Sequence, residues 1–206
     1  MEKISYNDNV FINCPFDIDY INLFRAIIFT VVDAGFIPRC SKEIDDGTEF
    51  RLGAIVSLID ECRYGIHDLS RVELDKENSL PRFNMPFELG IFWGSKKFGN
   101  DDQQKKKCII LEKDQYRYQK FISDLSGVDV KAHSNNLKNV IFAVRNWLVT
   151  ASRRTTIPEA SHINKRFRQF QIKMRKICNV NGSTYDSMPF IELVQNMTDW
   201  LSLLSG

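Results

Sequence analysis

The feature that most constrains the fold of this chain is an alternation, sustained over residues 1–150, between short apolar runs and segments whose apolar residues recur at helical spacing. Val10-Phe11-Ile12-Asn13-Cys14, closed by Pro15-Phe16-Asp17, has the form of a buried strand that ends in a loop. Tyr20, Leu23, Phe24, Ile27, Ile28 and Val31 then follow a helical period up to Gly35, a stop signal. Residues 35–40 read as a second, less regular strand near a sheet edge, because Pro38 has no N–H to give to a ladder. Leu52, Ile55, Val56, Ile59 and Cys62 make a helical stripe for which Thr48 is the expected N-cap. A strand over residues 63–68 leads into a long loop through Arg82. A helix opening near Met85-Pro86 then carries Glu88, Leu89, Phe92 and Trp93 toward Gly99. The charged run 100–106 reads as a solvated turn, residues 107–112 as the clearest remaining strand, and Asn136 to about Val149 as a helix. Such alternation predicts a parallel sheet covered by helices. Ligands bind such sheets beyond the carboxyl ends of the strands, so the loops after Ile12, Ile37, Ile66 and Leu111 are where a site is expected.

After Ala151 the pattern changes. Residues 153–158 read as a connector, and a helix follows whose Ile163, Phe167, Phe170, Met174 and Ile177 alternate spacings of four and three. Asn181-Gly182-Ser183 ends it, and Phe190, Leu193, Val194, Met197, Leu201 and Leu204 define a last amphipathic helix. The division expected is an α/β domain over 1–150 and a helical hairpin over 151–206 that packs on it or joins copies into a homo-oligomer. The polar side of the first of these helices carries Lys165, Arg166, Arg168, Lys173, Arg175 and Lys176, most simply a solvated face. A net charge of +2 gives no global reason to expect a nucleic-acid partner. The apolar run 26–32, stopped by Asp33, is far too short for a membrane span. The N-terminus has no basic region followed by an apolar stretch, so cytoplasmic residence is expected. Five cysteines at no metal-ligand spacing read as reduced thiols, and no metal is assigned.

Two groups of residues bear on chemistry. Asp68 ends a strand, where a plain capping or turn role competes with a functional one. Glu88 lies one turn into a helix among Phe87, Leu89, Ile91 and Phe92, where a carboxylate is costly unless it is paired or faces a cavity. A capping role at the helix N-terminus is the plain alternative. His67 neighbours Asp68 in a strand and should point to the opposite face, as a satisfied core histidine. His133 and His162 fall in polar loops. The chain has neither the Gly-rich fingerprint of dinucleotide redox domains nor a P-loop.

Val10-Phe11-Ile12-Asn13-Cys14-Pro15-Phe16 at a first strand end, Asp68 at a later one, and Phe87-Glu88-Leu89-Gly90 opening a helix together resemble the nucleoside 2-deoxyribosyltransferase-like families and their TIR-domain relatives. The resemblance spans residues 9–112. Asn13-Cys14 stands where those families have a small Gly before Pro-Phe, and residues 82–86 replace the usual approach to the Glu. It implies a flavodoxin-like α/β fold and cleavage of an N-glycosidic bond. Glu88 and Asp68 would then be catalytic, with Asn13, Cys14, Phe16, Arg39, Arg71, Arg82 and Asn84 on the substrate side. NAD would be a substrate, with no separate cofactor. Deoxyribosyl transfer between bases and a noncatalytic nucleotide-sensing module remain the alternatives.

Overall fold

The computed structural model describes residues 5–72 and 82–205. Its centre is a five-stranded sheet in the order β2-β1-β3-β4-β5, every neighbouring pair parallel. The strands are β1 (Asn9–Asn13), β2 (Ile37–Arg39), β3 (Tyr64–Asp68), β4 (Lys107–Glu112) and β5 (Val130–Ala132). The order 2-1-3-4-5 makes this a flavodoxin-like α/β fold, whose direction of winding reverses between β1 and β3. β1 and β3 are buried along their whole length, so their near-continuous apolar sequence follows from cover on both faces. β2 is the edge strand that Pro38 requires.

One face of the sheet carries α1 (Ile21–Asp33) and α5 (Leu137–Ser152). Val10, Ile12, Tyr64, Ile66, Ile109 and Leu111 meet them in the main core. Phe11, on the opposite face, packs with α2 (Arg51–Asp60) and with Phe92 of α3 (Asn84–Phe98). α1 is buried almost all round, Ala26 and Phe29 included, because two further helices cover its outer side. These are α6 (Ala160–Val180) and α7 (Phe190–Ser205), whose Ile163, Phe167, Phe170, Phe190, Leu193 and Met197 join the same core. Arg25, 2% exposed on α1, fixes the turn between them. It donates to the Tyr185 carbonyl and to Asp186, and its guanidinium lies 4.0 Å from the Tyr185 ring centre. No helix among the described residues is long and apolar enough to cross a membrane.

Gly35 takes φ +75° just past α1, and the N–H groups of Gly35 and Phe36 close the helix on the carbonyls of Val32 and Val31. Three expectations change, and one strand is new. Thr48 does not cap α2, which starts at Arg51 behind Phe50; its N–H and hydroxyl both bond Asp46 Oδ1, a local turn that competes with capping. The run 100–106 is not a solvated turn. Asn100 caps a short helix α4 (Asp101–Gln104), and fully buried Lys106 donates to the carbonyls of Ile59 and Cys62 at the end of α2. In α6 the buried position after Met174 is Cys178, while Ile177 is 39% exposed. A straight helix of 3.6 residues per turn drifts off a strict seven-residue seam. The fifth strand has no apolar run, being three half-exposed residues at an edge. The loop expected up to Arg82 lies, over residues 73–81, outside the described residues.

Candidate functional site at the strand carboxyl ends

At the winding reversal the carboxyl ends of β1 and β3 lie side by side, with Asn13 opposite His67 and Asp68 one residue further on. Asn13 is buried, and both of its amide contacts are internal. Nδ2 lies 3.0 Å from His67 Nδ1 and donates to the Met85 carbonyl at 2.8 Å. It therefore ties the end of β1 to the first turn of α3, the turn before Glu88. His67 faces away from Asp68 as its strand position requires, packing edge-on to Phe92 at 5.0 Å. Burial lowers its pKa to about 3, and its Nε2 has no hydrogen-bond partner among the described residues, so the ring is neutral but only half satisfied. Gly65 makes this packing possible, since a Cβ there would sit 2.8 Å from both the Phe92 ring and His67 Nε2.

Asp68 is fully buried within a polar network. Oδ1 accepts from the Ser70 N–H at 2.8 Å, and Oδ2 accepts from the Tyr20 hydroxyl at 2.5 Å. His133, in the polar loop between β5 and α5, is nevertheless fully buried, with Nε2 3.0 Å from Asp68 Oδ2, in electrostatic contact but outside hydrogen-bond geometry. The Asn135 N–H donates to His133 Nδ1, which leaves Nε2 as the nitrogen that faces Asp68 with an N–H. Burial on its own would raise the Asp68 pKa. His133, with the Ser70 and Tyr20 hydrogen bonds, outweighs it and holds the carboxyl below the usual range. A second buried carboxylate, Glu112 at the end of β4, accepts from the Lys113 N–H and from Arg117, whose other arm reaches the Ser70 carbonyl. Its Oε2 and the Ser70 hydroxyl have no hydrogen-bond partner among the described residues.

Glu88 is the contrasting carboxylate. Half-buried on α3, it makes no hydrogen bond or ion pair among the described residues. Desolvation raises its pKa to about 7, opposed only by the Arg51 charge at the start of α2. Its charge is felt by the buried thiols of Cys14 and Cys40, at the ends of β1 and β2, and Cys14 also feels Asp68. Cys14 thus feels both carboxylates, its own pKa pushed well up by burial. Phe16 packs edge-on to Phe24 at 5.1 Å, with the Lys42 ammonium 5.0 Å from its ring centre. Four large apolar side chains on the loops and the helix start at this end of the sheet face solvent: Ile18, Phe50, Phe83 and Phe87. They lie on the segments that follow β1, β2 and β3.

The arginines expected at phosphates hold carboxylates instead. Arg39 bridges Glu43 and Glu61, each at 2.9 Å. Arg71 lies 3.4 Å from Asp17 and 3.2 Å from Asp19, and Arg82 lies 3.9 Å from Asp17. Asn84 is exposed as the first residue of α3. The structure therefore brings Asn13, Cys14, Asp68 and Glu88 together, leaves Arg39 in a separate charge cluster, and sets Arg71 and Arg82 against the loop after β1. As site residues, Tyr20, Arg51, Glu112, Arg117 and His133 escape the sequence reading; among them only Glu112 stands at a strand end that the sequence predicts. Grooves of about 410 and 830 Å³ lie elsewhere, against Trp93, Cys108 and Trp147 along the β4–β5 edge. Searches against protein families, curated proteins and solved structures return no match to this chain.

Proposed function

We propose that this protein cleaves the N-glycosidic bond of a nucleotide, with NAD as the substrate and Glu88 as the carboxylate beneath the anomeric carbon. The observation that carries the reading is Glu88 itself: a half-buried carboxylate, without a hydrogen bond among the described residues, on the helix whose first turn is tied to the end of β1 at the winding reversal of a parallel sheet. Leaving a carboxylate so exposed to desolvation is costly for the fold and useful for stabilising a developing cation. When the C1′–N bond breaks, its electron pair leaves with nicotinamide, which departs neutral and needs no general acid. Ionised Glu88 stabilises the oxocarbenium ion or captures it covalently, and water then adds its oxygen to C1′ and releases its proton to solvent. Asp68, with both oxygens engaged, acts as a positioning residue for the loop and helix that follow β3.

One observation favours a second reading. Arg39, Arg71 and Arg82 all face carboxylates, which suits an unphosphorylated nucleoside and hence transfer of deoxyribose between bases. Incubating pure protein with NAD and following nicotinamide by chromatography separates the readings. Release by wild type that falls by roughly 10³-fold or more in Glu88→Gln supports the proposal. Exchange between a deoxynucleoside and a second base, without nicotinamide release, replaces it with the transferase. Binding without turnover of either substrate leaves a sensing module.

A further inference from the structure

The charge of this chain is segregated. α6 holds six of its 28 basic residues and none of its 26 acidic ones, leaving the rest of the chain four charges negative. Two of the six are used within the fold: Arg166 pairs with Asp33 at 2.7 Å, and the Lys173 ammonium lies 4.7 Å from the Trp200 ring centre. Lys165, Arg168, Arg175 and Lys176 are exposed and make no ion pair among the described residues, and Ile172, 60% exposed, lies in their midst. Lys165 to Lys176 spans about 16 Å of helix.

The complement is on the same molecule. Beside β2 and α2 a groove of about 500 Å³ is lined by Glu43, Asp45, Asp46, Glu49 and Glu61 around an apolar floor that includes Ile44 and Leu58. Its single cation, Arg39, is held by Glu43 and Glu61. Asp45 and Glu49 are exposed and make no ion pair among the described residues. α2 itself is about 15 Å long, matching the basic stretch of α6. We propose that the outer face of α6 docks into this groove of a second copy of the chain. The two surfaces lie on opposite sides of the sheet, since α6 covers α1 while α2 packs on the other face. Docking therefore leaves a free groove at one end and a free α6 at the other, and the contact propagates head to tail. A long polyanion is the poorer occupant, because beyond α6 it meets a body with net negative charge. This inference is independent of the reading of Glu88.

The test is the size distribution of the nuclease-treated full chain by sedimentation velocity, at about 0.1 M and about 1 M ionic strength, where the screening length falls from about 10 to about 3 Å. Concentration-dependent species larger than monomer are expected at low salt, dissociating at high salt. Reversal of the helix face (Lys165→Glu, Arg168→Glu, Lys176→Glu) and, separately, of the groove (Asp45→Lys, Glu49→Lys) should each weaken association roughly tenfold or more. Mixing the two variants should restore it, because each then offers the other a complementary pair of surfaces. Native circular dichroism shows that both remain folded. A monomeric wild type at low salt overturns the proposal, as do assemblies indifferent to both reversals. Assembly that returns only on adding duplex DNA overturns it in favour of a polyanion.

Discussion

Two carboxylates, one ending β3 and one in the first turns of α3, are treated in opposite ways by the same fold. Asp68 receives a hydroxyl, an N–H and an imidazole, and stays ionised although fully buried. Glu88 receives no hydrogen bond among the described residues and holds its proton up to about pH 7. The stability consequence has a definite sign. The folded state binds the Glu88 proton more tightly than the unfolded chain, so the contribution is fully present below about pH 4.5 and is lost as pH rises through about 7. Glu88→Gln cannot ionise. It should leave stability nearly unchanged at pH 4 and raise it by on the order of 1–3 kcal/mol at pH 8, the gain expected when a strained functional group is removed. Urea titrations of both proteins at the two pH values check this, and an equal or reversed difference at pH 8 rules out the desolvated carboxylate. Both carboxylates were legible in the sequence, because each interrupts an apolar segment. Their partners were not: Tyr20 and His133 lie 48 and 65 residues from Asp68 along the chain, and burial of that kind comes from tertiary packing alone.

At the scale of elements, the apolar period gave four of the five strands and the long helices to within a residue or two, and misread the places where side chains bind backbone. Asp46 accepts from the Thr48 N–H, Asn100 accepts from the N–H groups of Asp102 and Gln103, and Lys106 donates to the carbonyls of Ile59 and Cys62, none of which periodicity registers. Arg25 is the sharpest case. Within a mostly apolar helix it holds the turn between α6 and α7, through the Tyr185 carbonyl and Asp186. Asp186 is 64% exposed and rehydrates readily if the arginine is lost, so the cost of removal lies in the cavity and the orphaned carbonyl. Arg25→Ala should therefore destabilise by about 3–4 kcal/mol, whereas Arg25→Met, which refills the volume, should cost less than about 2 kcal/mol. Chemical denaturation midpoints order the two variants. Equal losses would place the energy in the ion pair instead of in packing.

For the whole molecule, the question is what α6 and α7 do for the sheet they do not touch. The sequence marked residues 151–206 as a helical extension by the change of pattern after Ala151, and its apolar stripe pointed to a partner without naming it. That partner is the outer side of α1 and α5, against which Ile163, Phe167, Phe170, Met174, Phe190, Leu193 and Met197 are buried. At about 1.5–3 kcal/mol per buried side chain, this layer contributes on the order of 10 kcal/mol before chain entropy is counted. That rivals the entire net stability of a typical domain, about 5–15 kcal/mol. Removing residues 160–206 would also leave Arg25 without its acceptors and Asp33 without Arg166, both within the helix that supports β1 and Asp68. The truncated chain is expected to keep helical far-ultraviolet dichroism while losing near-ultraviolet signal and cooperative melting, and to bind hydrophobic dyes. A cooperative, monomeric melt of residues 1–159 would show instead that the sheet and its own helices suffice. α6 and α7 would then serve association alone. Loss of that transition makes them part of the platform that holds Glu88 and Asp68 at the strand ends, so that any partner docking on α6 acts on a helix in the same core as the site.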